Sequence, residues 1–272
     1  METSAKPVVL VTGASSGMGK DFALRLLKEG YVVYGAARRV ERMRDIVEAG
    51  GVALNIDVSD ERSIGDGVAR IIADQGRIDV LINNAGYGQH GAIEDVPIEL
   101  ARGQMEVNLF GLARLTQLCL PHMRARGHGR IVNISSIGGK ITTPLGGWYH
   151  ASKFALEGWS DVLRNEVRAF GIEVVVIEPG GIESEWSDIA THEAVRLSGK
   201  GAYANLVQAF AKAHSGTKAP PPSVITELVM RALQSRRPRS RYAAGFMAKP
   251  LLLLRRILSD WMFDRLIMSA FR

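Results

Sequence analysis

The chain has 272 residues, of which 46% are hydrophobic and 23% charged, with a formal net charge of +6. This is close to the average of folded globular proteins and excludes a chain disordered throughout. One cysteine, Cys119, excludes an intrachain disulfide framework and a Cys-rich zinc site, and fits a reducing compartment.

In chain order, Pro7–Thr12 is a continuous apolar run that reads as a buried strand. Gly17–Lys28 follows as a helix, with Phe22, Leu24, Leu26 and Leu27 as its apolar residues. Tyr31–Ala36 is a second strand, Arg42–Ala49 a short helix and Val52–Ile56 a third strand. Ser63–Ala73 is helical, with Ile64, Val68, Ile71 and Ile72 on one side, and Val80–Asn83 is a fourth strand. Glu99–Arg126 is a long helix, Arg130–Ser135 a fifth strand, Tyr149–Phe170 another long helix and Glu173–Ile177 a sixth strand. Such alternation specifies an α/β architecture: a parallel sheet with helices on both faces, which binds ligands at the carboxyl ends of its strands.

Beyond Glu178-Pro179-Gly180 the pattern loosens. Residues 183–222 read as a helical insertion on the substrate side, broken by Pro220-Pro221-Pro222. Ser223 is placed to cap a helix running to Leu233. The basic excess is local: residues 236–272 hold nine basic and two acidic residues, net +7, so the rest of the chain sums to −1. A nucleic-acid-binding domain would carry a basic face on its main body, so no nucleic-acid partner is expected. The whole reads as one domain, 1–272, with an insertion and a basic helical extension.

Thr12-Gly13-Ala14-Ser15-Ser16-Gly17-Met18-Gly19 lies between the first strand and the first helix. Glycines permit a tight turn and close approach of backbone to a pyrophosphate, and the helix N-terminus supplies N–H groups and a positive dipole end. An ordinary glycine-rich turn would look similar in isolation; its place in a strand–helix–strand series favours a dinucleotide. Tyr149 and Lys153 are four apart on a helix and share a face. A phenol has a pKa near 10, and a neighbouring ammonium lowers it toward a useful value.

Four motifs then occur in order: the glycine turn, Asn83-Asn84-Ala85-Gly86, Ser136, and Tyr149-x-x-x-Lys153. In these the chain resembles the single-domain branch of the short-chain dehydrogenase/reductase family, over Thr12 to about Ser184. The resemblance implies a Rossmann-type doubly wound parallel sheet and a catalytic set of Asn108, Ser136, Tyr149 and Lys153. Ser136 precedes Tyr149 by thirteen positions, the family's usual spacing, which selects it over Ser135. Asn108 would sit in a local distortion of its helix and hold a water. Lys153 would also bond the nicotinamide ribose. Cofactor contacts are implied for Gly13, Ser15, Ser16, Gly17, Met18 and Gly19. They are also implied for Asp57, Val58, Asn84, Ala85 and Gly86, and for Pro179, Gly180, Ile182 and Ser184, the last standing where a Thr is common.

Family members that use NAD usually place Asp where this chain has Ala37, which is followed by Arg38 and Arg39. Guanidinium groups match phosphate geometry, so NADP is expected, with Arg38 and then Arg39 on its phosphate. Many NADP-using relatives also carry a basic residue where Ser16 stands here, and that support is absent.

The expected activity is interconversion of a ketone and a secondary alcohol. The pocket would be built from Gly88–Ile93, Gly138–Trp148 and the insertion. Ile137, Ile141, Leu145, Trp148, Trp186 and Ile189 make it apolar and suited to a bulky carbonyl or alcohol of steroid, retinoid, aromatic or aliphatic type. The alternative, an NADP-binding sensor or scaffold without turnover, would have no need of the catalytic set.

The two long helices resemble those that relatives use to form homodimers and homotetramers. No apolar run reaches the roughly 18 residues of a spanning helix, and residues 1–6 lack a signal-peptide core, so a cytoplasmic location is expected. Leu251, Leu254, Leu258 and Met262 fall at helical spacing among Arg255, Arg256 and Arg265. The apolar residues cover more than one face, so packing against protein is favoured over attachment to an anionic membrane surface.

Overall fold

A computed structural model of the protein describes residues 6–183, 185–214 and 218–271, with side chains throughout except at 185–187 and 214. Seven parallel strands lie in the order β3-β2-β1-β4-β5-β6-β7: β1 Val8–Thr12, β2 Val32–Ala37, β3 Val52–Asn55, β4 Val80–Asn83, β5 Gly129–Ile134, β6 Ile172–Pro179 and β7 Arg241–Ala244. The order reverses between β1 and β4, which opens a crevice at the carboxyl ends of those strands.

Both faces of the sheet are covered, so β1 is apolar at every position up to Thr12. Val9 and Val11 enter one core, with Phe22 and Leu26 of α1 (Gly17–Lys28) and Ile225 and Val229 of α9 (Ser223–Gln234). Val8 and Leu10 enter the other, with Ile64 and Ile71 of α3 (Glu61–Gln75), Leu115 of α5 (Leu112–Ala125) and Leu163 of α6 (Gly147–Val167). Helix α3 has clear punctuation: the Asp60 carboxylate accepts from the N–H groups of Arg62 and Ser63, and Gly76 ends it at φ 69°.

Several expectations need correction. The expected extension 236–272 first contributes β7, paired in parallel with β6 from Val176–Arg241 to Pro179–Ala244. Only after β7 come two helices, α10 (Ala248–Ile257) and α11 (Asp260–Ser269). The expected single helix 99–126 is α4 (Ile98–Met105), a π-helical segment Glu106–Gly111, and α5. The short helix 42–49 is a 3₁₀ turn, Val40–Met43, followed by α2 (Arg44–Glu48). The insertion holds α7 (Glu185–Ser198) and α8 (Ala204–His214). Ser223 does not cap α9; Pro222 occupies the cap position and no side chain caps the helix. Among the described residues no helix is long and apolar enough to cross a membrane.

Candidate active site

The glycine turn after β1 is held by its neighbour after β4. The Thr12 hydroxyl accepts from the N–H groups of Asn84 and Ala85, each at 3.0 Å, and Asn84 Nδ2 donates to Thr12 O at 2.9 Å. Gly13 and Gly17 have φ of 66° and 53°, in the left-handed region. A Cβ on Gly19 would collide with the Gly13 carbonyl, so the third glycine is required by close packing of the turn on the helix. Ser16 precedes α1 without capping it through its side chain, and the first turn of α1 has no acidic residue. The leading N–H groups of α1 therefore face a space that suits an anion.

The end of β2 supplies cations to that space. Arg38 and Arg39 are exposed, and Arg39 Nη2 lies 3.5 Å from the Ser16 hydroxyl. A guanidinium thus reaches Ser16 from the adjacent strand, supplying the cation that the turn itself lacks. After β3, burial pushes the Asp57 carboxyl up, but bonds from the Ser59 hydroxyl and N–H and the charge of Arg38 outweigh it and hold the group below its usual range. Val58 is buried, and its carbonyl lies where a Cβ on Gly111 would fall, so the β3 loop and the π segment touch backbone to backbone.

The second cluster forms where β5 and β6 end. Ser136 follows β5 and caps a 3₁₀ turn, Ile137–Gly139: Gly138 N–H donates to its Oγ at 2.9 Å, and Oγ lies 3.4 Å from Pro179 O. Its hydroxyl also hydrogen-bonds the Tyr149 phenol. Burial pushes that phenol up to about 12, and the bond from Ser136 opposes the rise. One turn along α6, Lys153 is buried and donates from Nζ to Ile134 O at 2.9 Å. Burial lowers its ammonium to about 8, against the pull of the Glu157 charge.

Asn108 lies in the π segment, almost wholly buried. Its Oδ1 accepts from Tyr87 N–H at 3.0 Å, while Nδ2 donates to Tyr87 O at 2.9 Å and Ser152 Oγ at 3.0 Å. The π segment thus clamps the loop after β4 against α6. A Cβ on Gly86 would sit 3.2 Å from Asn108 Oδ1 and 3.8 Å from Lys153 Nζ, so this loop, Asn108 and Lys153 are neighbours. Gly180 N–H donates to Ala244 O at 2.8 Å, Gly181 bridges Phe246, and Ile182 is buried. Ser184 lies outside the described residues.

The family model for short chain dehydrogenases matches residues 7–194, which span both clusters. The chain belongs to the short-chain dehydrogenase family. A probable short-chain type dehydrogenase/reductase, VdlC, of Helicobacter pylori is 37% identical over 95% of this chain and 96% of its own length. The 3-ketodihydrosphingosine reductase of Bacteroides thetaiotaomicron is 42% identical over 66% of each chain. Among solved structures, a serine dehydrogenase complexed with NADP+ superposes with a TM-score of 0.78 at 26% identity, covering 88% of this chain and 95% of that one.

Around this short-chain dehydrogenase site stand residues that sequence reasoning did not single out. His90 is buried with its ring 5.7 Å from that of Tyr149, and Phe210 of α8 lies 5.5 Å beyond it. Nothing in the local pattern marks His90; its role comes from the loop that carries it. His150 accepts at Nε2 from Thr143 N–H (3.0 Å), so Nδ1 carries the hydrogen given to Gly138 O at 2.9 Å. Burial lowers its pKa and keeps it neutral, and it stitches the loop before Tyr149 to the Ser136 turn. Of the expected pocket wall, Ile141 and Leu145 are buried, Ile189 is exposed, and the Trp186 side chain lies outside the described set.

Behind Lys153 lies a charged cluster. Glu157 Oε2 accepts from Lys140 and Arg241, each at 2.9 Å, and Arg241 also meets Asp161 at 2.7 Å and Glu178 at 3.3 Å. Burial, with the Glu157 charge, pushes the Glu178 carboxyl up from 4.5 to about 7, against Lys140 and Arg241. The folded state therefore favours the protonated form. That contribution to stability is complete below pH 4.5 and is lost as pH rises through about 7. We expect Glu178→Gln to match the parent in thermal midpoint at pH 5 and exceed it at pH 8. A gap between the two proteins that shrinks with rising pH would contradict this assignment.

Proposed function

We propose that this protein is an NADP-dependent oxidoreductase that interconverts a bulky apolar ketone and its secondary alcohol. The observation that carries the reading is the Ser136 hydroxyl on the Tyr149 phenol, with the Lys153 ammonium buried one helical turn away. The nucleotide would lie along the glycine turn, with Arg38 and Arg39 on its 2′-phosphate and Asp57, Val58 and Asn84–Gly86 beside the adenine and ribose. Pro179, Gly180, Ile182 and Ser184 would flank the nicotinamide. When bound, it supplies or accepts the hydride.

The chain's own residues handle the proton and the orientation. Ser136 and Tyr149 donate to the substrate oxygen where negative charge develops during reduction. Tyr149 passes its proton to that oxygen, and the Lys153 cation stabilises the phenolate left behind. Asn108 holds the Tyr87 loop against Ser152, which fixes the helix carrying both groups. On the substrate side, Ala92, Leu145, Ala194, Val207 and Phe210 form an apolar cluster beside His90. The ketone named in the Bacteroides relative and the NADP+ held by the serine dehydrogenase support the same class of reaction. Phe110, Phe154 and Val162 are exposed along the π segment and α6, which suits a homo-oligomer.

The test follows NADPH absorbance with aliphatic, aromatic and steroidal ketones, with NADH and an Arg38→Ala/Arg39→Ala variant in parallel. We expect NADPH to be preferred in the parent. Each lost charged hydrogen bond costs about 1.5–3 kcal/mol, so the double variant loses about 100-fold or more of its NADPH efficiency and little with NADH. Equal use of both nucleotides by the parent would remove the Arg38 argument. Tight NADPH binding without turnover on any ketone would favour the sensor reading.

A further inference from the structure

Helices α10 and α11 are left largely uncovered by the rest of the fold. Within 248–271 only Ala248 and Phe263 are buried. Both ends are nevertheless fixed. Phe246 bridges Gly181 just before α10, and Phe271 after α11 stacks on Phe210 at 6.3 Å. The pair is thus held against the substrate side of the domain with its outer surface open.

That outer surface is apolar and basic together. Leu253 and Ile257 are 59% and 66% exposed on one face of α10, among exposed Lys249 and Arg256. On α11, Trp261 is 66% exposed, joined by Met262, Leu266 and Met268. Arg265 lies over the Trp261 ring at 4.6 Å. Asp260, one of two acidic residues on α11, is already paired with Arg255 at 2.8 Å. Aliphatic residues and Trp interleaved with Lys and Arg on short helices are the pattern of a segment that lies in the headgroup region of a bilayer. Neither helix can span one.

We propose that α10 and α11 form a docking face for the surface of an anionic phospholipid bilayer. Leu253, Ile257, Trp261 and Met268 enter the interface, and Lys249, Arg256 and Arg265 meet lipid phosphates. Charge decides between this occupant and a second copy of the chain. A two-fold interface brings the patch against itself and would press two surfaces of net positive charge together, since Lys249, Arg255, Arg256 and Arg265 outnumber Asp260 and Asp264. The proposal concerns the surface alone and does not depend on the substrate reading.

The test is co-sedimentation of the full chain with phosphatidylcholine vesicles and with equimolar phosphatidylcholine/phosphatidylglycerol vesicles at low salt. The chain is expected in the pellet with the anionic vesicles and largely in the supernatant with the neutral ones. Raising the salt weakens the binding. A Leu253→Ser/Ile257→Ser/Trp261→Ser variant is expected to bind about ten-fold or more weakly, because interfacial binding scales with buried apolar area. Arg256→Gln/Arg265→Gln should lose the preference for anionic lipid. Circular dichroism and light scattering on the same samples check folding and mass. A parent chain that stays in the supernatant overturns the proposal, as does a folded apolar variant that binds equally well. A halved mass in the apolar variant without vesicle binding by the parent would assign the face to a second copy.

Discussion

Replacing Tyr149 by Phe is expected to leave NADPH affinity within about two-fold and to lower turnover by about 10³- to 10⁴-fold, the range for loss of a positioned general acid together with a donor to a developing oxyanion. The ring is held by packing as well as by its hydroxyl. It lies 5.7 Å from His90 and 5.6 Å from His150, both in tilted or edge contact. Phe keeps that packing and removes one oxygen, so the loss belongs to the proton and not to the fold. Ser136 would still donate to the substrate oxygen, which leaves residual rate above the uncatalysed reaction. Ser136→Ala should be milder, about 10²-fold, because Tyr149 keeps both its proton and its neighbour Lys153. Cofactor titration by fluorescence, with single-turnover absorbance at 340 nm, checks both variants. Retained turnover in Tyr149→Phe would end the assignment.

The parts of the protein legible in the sequence are those fixed by short-range physics. The strand β1 is a run of β-branched and apolar residues because both faces of the sheet are covered, and the glycine turn follows it directly. Helical spacing puts Tyr149 and Lys153 on one face, and only the accompanying motifs point from that to chemistry. Asn108 and Ser136 are indicated only by the family resemblance; the fold sets Asn108 in the π segment and Ser136 after β5, beside the first turns of α6 that carry Tyr149 and Lys153.

What escaped is set by distant partners. Strand β7 is four half-buried residues after an arginine-rich run, and only its pairing with β6 makes it a strand. Arg241 looked like part of a basic tail, yet it is neutralised by Glu157, Asp161 and Glu178 from two other elements. His90 owes its place beside Tyr149 to a loop held by Gln89 N–H on Gln104 and by Ala92 N–H on Ser198. The exposure of α10 and α11 was equally invisible, since apolar residues on several faces suggest burial until the fold leaves them uncovered.

Lys153→Met is the second large expectation, with a loss of about 10³-fold or more in turnover and, unlike Tyr149→Phe, a clear loss of cofactor affinity. The ammonium has two tasks in the proposed reaction: stabilising the phenolate and bonding the nicotinamide ribose. Its removal also orphans Ile134 O, the acceptor of its 2.9 Å bond. The pH profile separates these effects from a simple folding defect. Burial brings Lys153 down to about 8, so the free parent should lose ketone-reducing efficiency as pH rises through that value and the cation is discharged. Glu157 lies one turn beyond on α6 and holds the ammonium up by its charge. Glu157→Gln removes that charge but keeps an acceptor for Lys140 and Arg241. Its alkaline limb should therefore move to lower pH, with little change in rate at pH 6. Lys153→Met should have no such limb, because no group remains to titrate. If the limb in Glu157→Gln stays where the parent's is, Glu157 acts on the fold alone and the proton-linked role passes to another group.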